Sequence, residues 1–207
     1  MAKKILAFLL AAAMMTATLA SCGKNNDDTK DTGNGTDTSV DTSADTSASL
    51  KDVSIDELHT AIKDAYGEDG YIPNMPIDAE MLASIYGIEA GWVEEYVAEM
   101  PMIMTHVDTL IIVKPTEGNT ENVLGALKAY YDYLNNDSMQ YPMNLEKVRA
   151  AQVFEKGGYV FFIMLGMMSD EALYAEGTEE EIAKIQYDEA MANNQKAIDA
   201  INAAFGA

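Results

Sequence analysis

The alternation of apolar and polar positions divides the chain near Leu50. Before that point stand one unbroken apolar run and a stretch with almost no apolar residue. After it, apolar residues recur with structural periods. Leu58, Ile62 and Tyr66 share one face of a helix that Ser54 opens, with Glu57 at the capping-box position and Gly67 beyond the end. After EDGYIPNMPI, Asp78 can cap a short helix that carries Leu82, Ile85 and Tyr86 up to Gly87. Ile88, Trp92, Tyr96 and Met100 recur at every fourth position and predict a third helix, stopped by Pro101.

The run from Ile103 to Val113 is rich in Ile, Val and Thr and predicts the first strand. Asn119 or Thr120 then opens a helix with Val123, Leu127, Tyr130 or Tyr131, and Leu134 at core spacing, ending at Asn135-Asn136-Asp137. After the polar loop SMQYPMN, VRAAQVFE and YVFFIMLG flank Lys156-Gly157-Gly158 and form the clearest hairpin, because glycine supplies the positive φ of a tight turn. Glu179 to Phe205 predicts a long closing helix, with Tyr187, Met191, Ile198, Ile201 and Phe205 on one side.

Residues 51–207 therefore read as a single globular domain of class α+β. A strand, crossover helix and strand are almost always right-handed. The expectation is a small mixed three-stranded sheet, a split β-α-β of ferredoxin-like character, packed by the N-terminal helices and the long C-terminal helix.

The first 50 residues carry an address rather than a fold. Lys3 and Lys4 precede an uncharged apolar run from Ile5 to about Ala20, and Leu19-Ala20-Ser21-Cys22 resembles the lipobox of bacterial lipoproteins. Residues 1–21 are thus expected to be a lipoprotein signal peptide and Cys22 the lipidation site. A plain secretory signal cleaved near Ala20 would leave Cys22 incidental. Cys22 is the only cysteine in the chain, so no internal disulfide is available to explain it. Acylation also anchors a domain without a protein span, since each buried methylene contributes about 0.8 kcal/mol.

Residues 22–50 follow as a tether of Asp, Thr, Ser, Asn and Gly, including DTSV, DTSA and DTSA in succession. Such a composition buries too little surface to offset chain entropy. A flexible chain of this length spans about 30 Å. The formal charge is −21, and removal of the signal takes away Lys3 and Lys4 but no acid, giving −23. That balance excludes nucleic acid as a partner and disfavours direct docking on anionic lipid.

Chemistry is sparse. GxSxG, HExxH, phosphate loops and paired CxxC motifs are missing from the sequence, and the SxxK match at Ser21–Lys24 straddles the cleavage site. Of the two histidines, His59 reads as a partly exposed surface residue on the first helix. His106 stands with Met102 and Met104 at alternate positions of the predicted strand, and thioethers with imidazole suit copper(I). Core filling by a flexible side chain is the simpler account of these methionines, in a chain with 14 of them. Tyr130, Tyr131, Tyr133 and Tyr141 cluster where stacking with a peptide or sugar would be open to them. No cofactor and no catalytic residue is expected.

The quoted lipobox, the acidic tether and the stretches IPNMPIDAEML, MPMIMTHVDTLIIVK, MQYPMNLEKV and GGYVFFIMLG together resemble the bacterial lipoprotein family catalogued as domain of unknown function 4358. The resemblance, taken over about Ser54 to Phe205, implies an envelope lipoprotein and carries over no active site. The expected function is a lipid-anchored module on the extracytoplasmic face of the cell membrane. It would bind an envelope protein, peptide or glycan; soft-metal binding and an uncharacterised envelope enzyme are the alternatives.

Overall fold

A computed structural model describes residues 50–103 and 105–207. The signal, Cys22 and all but the last residue of the tether lie outside the described residues, as does Met104. The described residues belong to one compact unit.

The element order is α1 (Ile55–Gly70), β1 (Met75–Pro76), α2 (Ala79–Tyr86), β2 (Val93–Met100), β3 (Thr109–Pro115), α3 (Thr120–Asn136), α4 (Leu145–Arg149), β4 (Gln152–Lys156), β5 (Tyr159–Met164), α5 (Asp170–Leu173) and α6 (Glu179–Phe205). The capping boxes at Ser54 and Thr178 are both closed. Gly67 breaks α1 where the sequence ends the helix, and α6 has the bounds that its periodicity gives.

The sheet differs from the expectation. It has five strands in the order β1-β2-β3-β5-β4, and every neighbouring pair is antiparallel. It is neither three-stranded nor mixed. The split β-α-β is nevertheless present, because β3 and β4 run the same way with β5 inserted between them. Helices cover both faces, unlike a two-layer ferredoxin-like arrangement. One core joins the sheet to α2, α3 and α4, and the other joins it to α1 and α6.

Coverage on both sides explains the near-continuous apolar runs of β3 and β5. Successive side chains of a strand point to opposite faces, so Phe161 fills the α1/α6 core while Phe162 fills the other.

Three readings need correction. The third helix is β2, preceded by a 3-10 turn over Ala90–Trp92. The first predicted strand begins at Thr109 rather than Ile103, so the residues before it form a connection. VRAAQVFE is a strand only from Gln152, because Val148 and Arg149 close α4. The hairpin turn is Gly157-Gly158, with φ of 61° and 83°, and Lys156 pairs with Tyr159 across it.

Candidate functional site

The register brings Met100, Thr109, Met164 and Gln152 to one end of the sheet. Three connections meet there: Pro101–Asp108 between β2 and β3, the segment from Ser138 through α4 to Ala151, and the segment after β5. A buried polar cluster joins them.

Asp108 is wholly buried, and its Oδ2 accepts from the Lys147 ammonium at 2.6 Å while its Oδ1 accepts from the Gly166 N–H at 2.9 Å. Lys147 also donates to the Gly166 carbonyl at 2.6 Å. Burial pulls the Lys147 ammonium below the ordinary lysine range, and the Asp108 carboxylate opposes that pull. An isolated charge at this depth would be costly, so the pair and its amide partners stand or fall together.

Gly166 has a φ of 97°, and a Cβ there would lie 2.6 Å from the Asn193 Cβ. Only glycine satisfies both demands. Two buried asparagines of α6 complete the joint. The Asn194 side chain accepts from the Leu165 N–H and donates to the Ala150 carbonyl, and Asn193 donates to the Met167 carbonyl. The Asn144 amide donates to the Thr105 carbonyl at 3.0 Å and ties the first two connections together.

Above this polar floor the surface is apolar. Met102 and Ile103 are exposed on the first connection, Met139, Tyr141 and Met143 on the second, and Met167, Leu173 and Tyr174 beyond β5. Three depressions cross this side of the molecule. The first, of about 530 Å³, lies against α3, with Trp92, Tyr133, Tyr86 and Tyr130 among its walls. The second, of about 490 Å³, shares Tyr86 and Tyr130 with it and adds Met100, Met102, His106 and Met164. The third, of about 130 Å³, shares His106 with the second and adds Met143, Asn144, Lys147, Met167 and Met168. Tyr86 and Tyr130, with ring centroids 4.5 Å apart, form the ridge between the first two.

Met102 and His106 do not share a strand face. Both are exposed and both line the second depression, while Met104 lies outside the described residues. His59 is partly exposed as the sequence suggests, with its Nε2 3.1 Å from Glu99, whose other partner is the Tyr71 hydroxyl at 2.8 Å. Tyr130, Tyr131 and Tyr133 lie on α3, and Tyr130 and Tyr133 reach the first depression. Tyr131 instead donates to the Arg149 carbonyl, and Tyr141 stands exposed on the connection before α4.

Sequence reasoning missed Lys147 and Gly166. One signal was available: Asp108 interrupts an apolar run, and a carboxylate inside a covered strand requires a buried partner. Among the described residues no cluster of three His, Cys, Asp or Glu side chains could hold a metal ion, and no helix is long and apolar enough to cross a membrane.

Together the fold and this end of the sheet define a three-layer α+β domain with a buried ionic joint beneath a loop-built apolar face. Residues 66–165 match the family described as Domain of unknown function (DUF4358). The match is narrower than the stretch over which the sequence resembles it. All five strands, Asp108 and Lys147 fall inside the match, whereas Gly166 and α6 lie outside it. No curated protein and no solved structure matches the chain.

Proposed function

We propose that the chain is a membrane-anchored extracytoplasmic lipoprotein whose domain is a non-catalytic binding module of the bacterial cell envelope. The address rests on the signal-like leader, the lipobox and the lone Cys22. The binding role rests on one observation, the three depressions that share walls from Trp92 to Met168. In a chain of charge −21, the described residues of their lining include only Glu121 and the already paired Lys147 as acidic or basic side chains apart from the His106 imidazole, which that charge counts as neutral. A nearly uncharged, aromatic and methionine-lined groove on so acidic a protein is suited to an extended ligand of low charge, a peptide or a glycan strand.

The enzyme alternative lacks comparable support. Acid-based hydrolysis of a glycan needs two facing carboxylates, and among the described residues Glu121 is the one carboxylate lining these three depressions.

The test is a pull-down from detergent-solubilised envelope, run beside a Tyr133→Ser/Met102→Ser variant that changes two exposed groove residues and leaves the core alone. A specific protein, peptide or glycan recovered by the wild type and lost by the variant supports the reading. Recovery of the same material by both, or of nothing by either, sinks it.

A further inference from the structure

The smallest depression has a composition that general apolar binding does not need. His106 comes to it from the β2–β3 connection, Met143 from the turn before α4, and Met167 and Met168 from the segment after β5. Four soft donors on three separate segments thus converge on about 130 Å³. Among the described residues no carboxylate lines this cavity, so it lacks the acidic oxygens around which calcium and magnesium sites are built.

We infer that this cavity binds a soft monovalent metal ion, copper(I), through the His106 imidazole and the thioethers of Met143, Met167 and Met168. Thioether and imidazole ligands select copper(I) over harder cations. Methionine has three rotatable bonds, so side chains that begin on neighbouring loops can turn their sulfurs inward around an ion. The loops themselves are held. Asn144 is bonded to the Thr105 carbonyl, Asn193 to the Met167 carbonyl, and Lys147 to both Asp108 and the Gly166 carbonyl. Lys147 lines the cavity, yet its charge is matched by Asp108 at 2.6 Å, so an entering cation meets a wall with no net charge. Only His106 is shared with the alternating Met102, Met104 and His106 set of the sequence, so the site is a product of the fold. The cavity is the third depression of the groove described above, but the metal assignment rests on its donor set and not on a groove ligand.

The experiment is anaerobic competition for copper(I) between the full mature chain in detergent and bicinchoninate. The wild type is expected to withdraw a single equivalent. Met143→Leu/Met167→Leu/Met168→Leu keeps apolar volume and is expected to weaken binding at least about tenfold, the scale on which even outer-shell losses act. His106→Gln, at an exposed position, is expected to weaken it as well. Met139→Leu removes a fully exposed thioether outside the cavity and serves as the control, with binding unchanged. Circular dichroism and urea midpoints establish that each variant is folded. X-ray absorption of the loaded wild type should show sulfur and nitrogen neighbours. Failure of the wild type to compete, a triple variant that binds as well as wild type, or a copper shell without sulfur would each overturn the assignment.

Discussion

Lys147 and Asp108 show how much one pair can decide. Each is buried, and each completes the other's hydrogen bonding through Gly166. Lys147→Met strands a carboxylate in the interior and is expected to cost about 3–5 kcal/mol in urea unfolding. Lys147→Met/Asp108→Asn is expected to cost less than the single change, because the amide oxygen can still accept from Gly166 and no unpaired charge remains. A double variant as unstable as Lys147→Met would show that packing, rather than charge, carries the effect. At Gly166 the demand is steric. Gly166→Ala must hold a φ of 97° and displace Asn193, so it is expected to destabilise by more than about 1 kcal/mol. Asn193→Gly would remove the Cβ and Cγ that the new methyl meets, and a Gly166→Ala change that costs less in an Asn193→Gly chain than in the wild type separates the contact from the backbone strain.

The helices that flank the sheet depend on their first turns. Thr178 accepts from the Glu181 N–H, and the Glu181 carboxylate accepts from the Thr178 N–H at 2.9 Å, so a 27-residue helix begins on a closed capping box. Thr178→Ala is expected to cost about 1 kcal/mol. The amide and hydroxyl of Thr178 hold the Glu181 carboxyl below the ordinary glutamate range, and those of Ser54 do the same for Glu57. A lowered folded value means that the unfolded chain binds the proton more readily. The stabilisation is therefore whole above the ordinary glutamate range and is lost as pH falls through it towards the folded values. Urea midpoints of wild type and Glu181→Gln should differ at neutral pH and converge in acid; a gap that persists in acid would assign the effect to packing. These boxes are legible because their residues are three apart. β2 was not, since apolar residues at a spacing of four fit a helical face and equally the even positions of a strand. Tyr96, Ala98 and Met100 share the α2/α3 face of β2, while Val97 faces the other core. The partners that settle the matter, Leu110 to Pro115 on β3, lie beyond any local window. The same limit hid the ionic joint, because Asp108 and Lys147 are 39 positions apart and Gly166 is another 19 beyond Lys147.

Over the whole molecule, the chain's entry and the apolar loops occupy opposite ends of the sheet. Lys51 donates its backbone N–H to the Phe205 carbonyl, and the Tyr159 hydroxyl donates to the Val53 carbonyl, which fixes the entry beside the β4–β5 hairpin. The methionine-bearing connections lie beyond Met164, at the far end of β5, about 17 Å away at about 3.4 Å per residue. A tether running from an acylated Cys22 to Lys51 would leave those loops unobstructed by its own attachment point, as a surface that meets a ligand requires. The expected outcome has two parts. Wild-type protein takes up labelled palmitate and sediments with membranes, whereas Cys22→Ala does neither, because one substitution removes the only acylation site the sequence offers. With Cys22 acylated, Met139→Cys introduces the chain's only free thiol at a position that is 100% exposed. In intact cells that thiol should react with a membrane-impermeant maleimide. Palmitate-free wild type would remove the anchor, and a Met139→Cys thiol that reacts only after lysis would place these loops on the wrong side of the membrane for an envelope ligand.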